Sequence, residues 1–189
     1  MAIKRKKKKE WIPIVSPEYL GKKEIGEILV DEKEKAIGRR IILSVIDVTG
    51  DYNKYYMKIG FMVTKVQDGK ALLDFDSIEC LRDYIARMVL RRVTRIDAIQ
   101  DLKTKDGYLL RVKSIIVVYS KITRDIQRKL RSKAEEMIKN FVENSDIGNF
   151  VNSVLNDSWK NKIIKELNKI YPVRYFEFRK IEVKKRPSQ

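Results

Sequence analysis

The sequence predicts an α+β protein whose sheet is mostly antiparallel and barrel-like, with helices packed against it. β-branched and aromatic runs are separated by Asp-Gly pairs, and other segments carry apolar residues at every third or fourth position. With 189 residues and 43% hydrophobic content, the chain can bury a sizeable core. We expect three regions: a basic arm at 1–20, a β-rich domain with one inserted helix at 21–120, and a helical region with a final strand and basic tail at 121–189.

The first strands follow the basic arm, in which Trp11 is expected to anchor the chain by packing rather than by stacking on a base. A short strand is predicted at 25–30, and a three-stranded meander follows it. The strands of this meander are expected at 40–48, 55–66 and 71–75. In the second of them, alternate residues form one apolar face: Tyr55, Met57, Ile59, Phe61 and Val63. Residues 49–53 and the pair Asp68-Gly69 supply the two turns.

The segment at 101–119 is the predicted structural centre of the chain. Asp106-Gly107 is typical of a tight hairpin whose two central residues need positive φ angles. The following run alternates at first and then becomes apolar on both faces, which indicates a strand that passes from a solvated edge into the core. Helical patterns precede and follow it, at 78–92 and 123–141.

Two shorter helices and a last strand complete the prediction. Asp146 and Asp157 are the expected N-caps of the helices, and Pro172 ends them. The final strand at 173–184 changes the parity of its apolar residues near Arg179-Lys180, so we expect a β-bulge there.

The positive charge is concentrated rather than spread over the chain. The net charge is +16 and the pI is about 9.8. Four segments, 1–10, 82–95, 121–139 and 174–186, hold essentially all of the excess, and the remainder is close to neutral. Such clustering implies a polyanionic partner. The predicted RNA-contacting residues come from these segments: Lys4, Arg5, Lys6, Lys7, Lys8, Lys9, Arg87, Arg91, Arg95, Arg124, Arg128, Arg131, Lys184, Lys185 and Arg186.

Several classes of function are disfavoured by composition. The chain has no His and a single Cys80, so the usual zinc sites and an internal disulfide framework are excluded. It contains neither a Walker motif nor GxGxxG, and we expect no cofactor and no metal. The apolar runs are too short for a membrane span, and the N-terminus lacks the apolar core of a signal peptide, so we expect a cytoplasmic protein without membrane association.

Five separated stretches carry a resemblance to a known family. They are residues 101–111, residues 170–187, the Lys9-Glu-Trp11 motif with Ser16-Pro17, residues 25–30, and Gly38-Arg39. Taken in their order along the chain, they resemble the small-subunit ribosomal protein family of archaea and eukaryotes usually written "S three A e", in its archaeal type without the long eukaryotic extension. At 74–77, which we expect to form a turn, the family tends to show Asn-Phe-x-Gly, whereas this chain has Asp-Phe-Asp-Ser. Because this difference adds negative charge, we do not expect these residues to contact RNA.

The resemblance implies a structural ribosomal protein rather than an enzyme. Its expected place is the platform of the small subunit near the mRNA exit, bound to rRNA and to neighbouring small-subunit ribosomal proteins. Messenger RNA and initiation factors are further candidate partners. One alternative is a carboxylate-dependent nuclease, in which Glu182 and Lys184 form an E-x-K pattern and Asp101 or Asp106 helps to hold Mg²⁺. Another is an RNA-binding protein outside the ribosome.

Overall fold

The computed structural model describes residues 9–187 as two compact units, which are presented separately. The first contains residues 9–55 and 59–76, and the second contains residues 56–58 and 77–187. The α+β class and the mostly antiparallel strand pairing predicted from the sequence are confirmed. The division into arm, β-rich domain and helical region stays a prediction.

Five strands build the first unit. β1 (Glu10–Val15) is antiparallel to β2 (Glu24–Val30), and two of its residues also pair in parallel with β5 (Lys70–Cys80). β3 (Arg40–Ser44) pairs with β4 (Met57–Gln67), which pairs with β5. Within the described residues, β2 and β3 each pair with one strand only, so the pairings do not close and the sheet is less barrel-like than expected.

Alternation along β4 and β5 creates the core of this unit. Phe61, Val63 and Phe75 are fully buried, and Leu73 is nearly so. The Asp68-Gly69 turn between these strands has positive φ angles at both residues, 51° and 74°, as the sequence predicts for a two-residue hairpin.

Three predictions in this unit are wrong. The strand expected at 40–48 ends at Ser44, because the Ser44 hydroxyl accepts a hydrogen bond from the Ile46 amide and the Asp47 carboxylate accepts one from the Ser44 amide. This capping box starts helix α1 (Val45–Thr49). Residues 74–77 lie inside β5 rather than in a turn. Trp11 does not pack, since it sits on β1 opposite Leu29 and is 65% exposed.

The second unit places four antiparallel strands against three helices. The end of β5 pairs with β8 (Val173–Lys185), β8 with β7 (Leu109–Val118), and β7 with β6 (Thr94–Lys103). The long helix α3 (Arg124–Glu143) packs on β6. It is followed by α4 (Ile147–Leu155) and by α5 (Ser158–Asn168), which packs on β8.

An aromatic cluster joins helices and sheet in this unit. Phe141 of α3 stacks on Trp159 with ring centroids 4.0 Å apart, and it also meets Phe150 of α4 at 5.3 Å. Phe150 reaches Phe178 of β8 at 6.5 Å. Apolar rings that are buried in this way dominate the energetics of such a core.

The predicted helix at 78–92 is shorter than expected. Ile78 pairs with Ile181 in the sheet, so β5 continues to Cys80 and only Arg82–Met88 form helix α2. Tertiary pairing therefore overrides the helical periodicity at the start of this segment. At its other end the chain turns at Arg92, whose φ angle of 68° is incompatible with a continuing helix.

The Asp106-Gly107 hairpin forms with a different turn. Only Gly107 has a positive φ angle, 89°, and the Thr104 amide donates to the Tyr108 carbonyl across the loop at 2.9 Å. The Asp106 carboxylate contacts a residue outside the hairpin, since it accepts a hydrogen bond from the Ile147 amide at 2.9 Å. It thereby caps α4, whose own N-cap residue Asp146 makes no side-chain cap.

Candidate nucleic-acid interface

Strand β8 contains three interruptions of its pairing with β7, and each one inserts a basic residue. Val118 pairs with Val173 and Val117 with Tyr175, which leaves Arg174 without a partner on β7. The next two interruptions leave out Arg179 and Lys184 in the same way. A bulge re-aims the inserted side chain and bends the strand. The predicted irregularity near 179–180 is thus confirmed as one of three.

The bulge at Arg179 builds a basic cleft. Lys180 pairs with Lys113 on one side and with Glu79 on the other, so the strand register brings cationic side chains of β7 and β8 together. The cleft has a volume of about 590 Å³ and is open to solvent. Its lining includes five bases, which come from α2 and from three strands: Arg82, Arg95, Lys113, Arg179 and Lys180. We call this set the basic cleft.

Acidic neighbours hold several of these bases in place without neutralising all of them. Lys113 donates to Glu182 at 2.6 Å, and this hydrogen bond keeps the pKa of the Glu182 carboxyl below its usual range. Lys180 lies 3.4 Å from Glu79. Two hydrogen bonds of 2.9 Å fix Arg95 on Asp97 in a bidentate pair.

Two arginines of the basic cleft have donors that no acid pairs closely. Within the described part of the chain, Arg82 makes no ion pair. The Nε of Arg179 is buried without a hydrogen-bond partner, and the nearest carboxylate oxygen, on Asp97, is 4.0 Å away. A buried donor without an acceptor costs free energy, which the carboxylate of Asp97 offsets only in part at this distance.

The structure brings only part of the predicted RNA-contacting set together. Arg95 lines the basic cleft, and Arg131 lies next to it because its Nε donates to the Asp97 carbonyl at 3.0 Å. Lys184, the third bulge residue, lies 3.6 Å from Glu182, the carboxylate that holds Lys113. These three predicted residues therefore surround one region of the second unit.

The other predicted residues do not line the basic cleft. Arg87, Arg91 and Arg124 are exposed, and in the described range they make no ion pair. Arg128 is exposed and 3.8 Å from Asp125, Lys185 is exposed, and Arg186 is half-buried. Lys9 is exposed, whereas the predicted contacts at 4–8 lie outside the described residues.

Sequence reasoning missed four residues of the basic cleft as candidates: Arg82, Lys113, Arg179 and Lys180. The last three each follow or precede an apolar residue on a strand, and none lies in a run of three or more bases. The signal available in the sequence is the change in parity of the apolar residues near 179–180. It indicates a bulge, and a bulge places an extra side chain beside its neighbour. The residue that lies opposite on the neighbouring strand, Lys113, could not be identified without the pairing register of β7 and β8.

The carboxylates considered for a nuclease centre have structural partners. Asp101 forms a bidentate pair with Arg111 at 2.6 Å for both bonds, which lowers the pKa of its carboxyl. Asp106 caps α4 and Glu182 is surrounded by lysines. Within residues 9–187 there is no group of three or more side chains suited to hold a metal ion. Among the helices of the same residues, none is long and apolar enough to cross a membrane.

Comparisons with known proteins place the chain in a family. The model of the Ribosomal S3Ae family matches residues 2–187. A relative from Sulfurisphaera tokodaii, named small ribosomal subunit protein eS1, is 32% identical over 99% of this chain and 97% of its own length. Proteins of the same name from Archaeoglobus fulgidus and Methanopyrus kandleri are 31% and 33% identical, each over 96% of this chain and over 87% and 88% of their own lengths.

These matches confirm the resemblance seen in the sequence, including its archaeal type. The family model spans nearly every residue, and the relatives, about one-third identical, align over nearly all of this chain. The chain belongs to the Ribosomal S3Ae family and is a ribosomal protein, with a structural rather than an enzymatic role.

Proposed function

We propose that this protein is a structural constituent of the small ribosomal subunit and binds rRNA near the platform and the mRNA exit. The names of its relatives and the clustered positive charge support the subunit and the rRNA partner. As a ribosomal protein it acts in the cytoplasm, within a ribonucleoprotein that carries out translation. Neighbouring ribosomal proteins are its other partners, while mRNA and initiation factors stay open.

The observation that carries the proposal is the basic cleft. Five bases converge on a volume of about 590 Å³, and the ion pairs with Glu79, Glu182 and Asp97 orient them while leaving a surplus of positive charge. Arg82, an exposed base of the basic cleft, supplies donors for a phosphate oxygen. Ion pairs already order the side chains of Arg95, Lys113 and Lys180, so less side-chain entropy is lost when RNA binds.

The remaining predicted residues extend the proposed contact surface. The arm at 4–9, the exposed arginines of α2 and α3, and the bases at 184–186 contribute charge that positions RNA without reading its sequence. Binding of this kind releases counterions and weakens as salt rises.

The first experiment tests the ribosomal role. A lysate is sedimented through sucrose gradients at low and high salt, and the protein is detected in each fraction. Co-migration with the small subunit that resists salt supports integral membership, because purely electrostatic binding falls steeply with salt concentration. Recovery only at the top of the gradient would overturn it.

The second experiment tests the basic cleft. Binding of purified protein to small-subunit rRNA is measured over a series of salt concentrations. Each lost phosphate contact lowers the slope of log K against log salt by about one. The triple variant Lys113→Gln, Arg179→Gln and Lys180→Gln is expected to lower it by about two to three on that basis.

A control variant measures the effect of removing a charge away from the cleft. Lys165→Gln removes one exposed base of α5 that has no ion pair in the described structure. This base is outside the proposed contact surface, so the slope should change by much less than one. If the slope change per charge removed is the same in the triple variant as in this control, the basic cleft is not an RNA contact.

A further inference from the structure

Two exposed tyrosines share one arginine at the end of the sheet in the second unit. Tyr119 is 62% exposed and Tyr175 is 37% exposed. The guanidinium carbon of Arg174 lies 5.8 Å from the centre of the Tyr119 ring and 5.1 Å from that of Tyr175. Arg174 makes no ion pair with any acid in the described range, so its charge is directed at the rings alone.

The strand register explains how the three side chains meet. Arg174 is the bulge residue between Val173 and Tyr175, and Tyr119 directly follows the last residue of β7. A bulge increases local twist and turns its extra side chain out of the ladder. Without it, Arg174 and Tyr175 would point to opposite faces of the sheet.

The segment that carries Tyr119 is held firmly. The Ser120 hydroxyl and the Tyr171 hydroxyl are 2.7 Å apart and hydrogen-bonded. The Thr94 hydroxyl donates to the Ser120 carbonyl at 2.9 Å and accepts from the Ile122 amide at 3.3 Å. The ring is therefore exposed on a fixed backbone rather than on a loose loop, and binding to it would need little ordering.

We propose that Tyr119, Arg174 and Tyr175 form a stacking platform for an unpaired nucleobase of RNA. Exposed aromatic rings beside a guanidinium are the groups that stack on bases, since every base offers a π-face and arginine adds a cation–π attraction. A base within a duplex hides both faces in the stack, so the platform selects single-stranded or extruded nucleotides.

The platform adjoins the basic cleft, which supports an RNA ligand over a protein one. Arg95, which lines the cleft, pairs with Val117, and Val117 pairs with Tyr175 on its other side. Residues opposite one another across antiparallel strands lie on one face of the sheet. The backbones of Arg95 and Tyr175 are thus about 10 Å apart across the sheet, or roughly two strand spacings, a distance suited to contacting a phosphate and a nearby base of one RNA strand.

This inference rests on the proposed RNA-binding function and is tested by comparing two RNAs. The probes are a short fluorescein-labelled oligoadenylate and a blunt RNA duplex of the same length. The double variant Tyr119→Leu and Tyr175→Leu is expected to bind the single strand at least about ten-fold more weakly, as loss of base stacking requires, while duplex binding changes by less than about two-fold.

Two control proteins accompany the double variant. Tyr119→Phe with Tyr175→Phe keeps the rings and should restore single-strand binding. Tyr52→Leu removes a tyrosine that is 80% exposed in the first unit and should bind both RNAs as the wild type does. Circular dichroism melting checks that every variant is folded.

The outcomes separate this inference from the proposed function. If the wild type binds both RNAs and the double variant binds the single strand with the same affinity, the platform alone is overturned. The same holds if the double variant loses equal affinity for the single strand and for the duplex. Loss of co-sedimentation with the small subunit at unchanged RNA affinity also overturns it and indicates a protein partner. Wild type that binds neither RNA contradicts the rRNA-binding proposal itself.

Discussion

Replacing Lys160 by Met is expected to lower the free energy of unfolding, because it leaves a buried carboxylate of the second unit without its partner. Glu177 on β8 is 3% exposed, and its carboxylate accepts hydrogen bonds from Lys160 of α5 and, at 3.3 Å, from the Tyr84 hydroxyl. Tyr84 in turn stacks on Tyr56 with ring centroids 3.9 Å apart. Met preserves the aliphatic packing of Lys160 but leaves the Glu177 charge without its cation.

The size of the effect follows from the protonation of Glu177. Removing one partner of a buried ion pair costs about 3–5 kcal/mol. In the variant, Glu177 can instead take up a proton, which for a carboxyl with an ordinary pKa of about 4.3 costs about 3.7 kcal/mol at pH 7 and about 1 kcal/mol at pH 5. The expected loss in the free energy of unfolding is therefore about 3–4 kcal/mol at pH 7 and about 1 kcal/mol at pH 5.

The sign of this pH dependence has a physical cause. Burial raises the pKa of Glu177 in the wild type, and the nearby Lys160 only partly opposes it. A raised pKa means that the folded state binds the proton more tightly than the unfolded state does. Glu177 thus contributes stability below the unfolded pKa that is lost as pH rises, and the loss is larger once Lys160 is absent.

Urea unfolding followed by circular dichroism at several pH values between 5 and 8 measures the effect. Lys165→Met is the control, since Lys165 is an exposed lysine of the same helix, and it should change stability by no more than about 0.5 kcal/mol. A Lys160→Met penalty below about 1 kcal/mol at pH 7, or one that is the same at pH 5, would refute the reasoning.

Three further substitutions test local features of the fold by the same urea unfolding. Ser114→Ala should leave stability unchanged or raise it by about 1 kcal/mol, because the buried Ser114 hydroxyl has no hydrogen-bond partner; a clear loss would mean that it has one. Ser44→Ala removes the N-cap of α1 and should cost about 1 kcal/mol, so an unchanged midpoint would contradict the capping box. Gly107→Ala should cost about 1–2 kcal/mol because of its φ angle of 89°, and tolerance of Ala would show that the turn relaxes.

Much of the fold can be read from local patterns. The alternation along β4 and the period of α3 and α4 identify elements whose buried faces the structure confirms, including Phe61, Leu130 and Phe150. Where local and long-range preferences conflict, the long-range contacts decide. Ile78 fits the apolar stripe of a helix, yet its pairing with Ile181 keeps it in a strand.

By itself, the sequence determined the family, the α+β class and the clustered positive charge, because motifs, periodicity and composition are properties of neighbouring residues along the chain. The tertiary structure alone decided which bases act together. Lys113 and Lys180 are 67 positions apart and meet only through strand register. Arg174 and Arg179 gain their orientation from bulges. The parity change along the last strand indicates the bulge near Arg179, but the residues that meet there from other strands, and those of the tyrosine platform, follow only from the strand register.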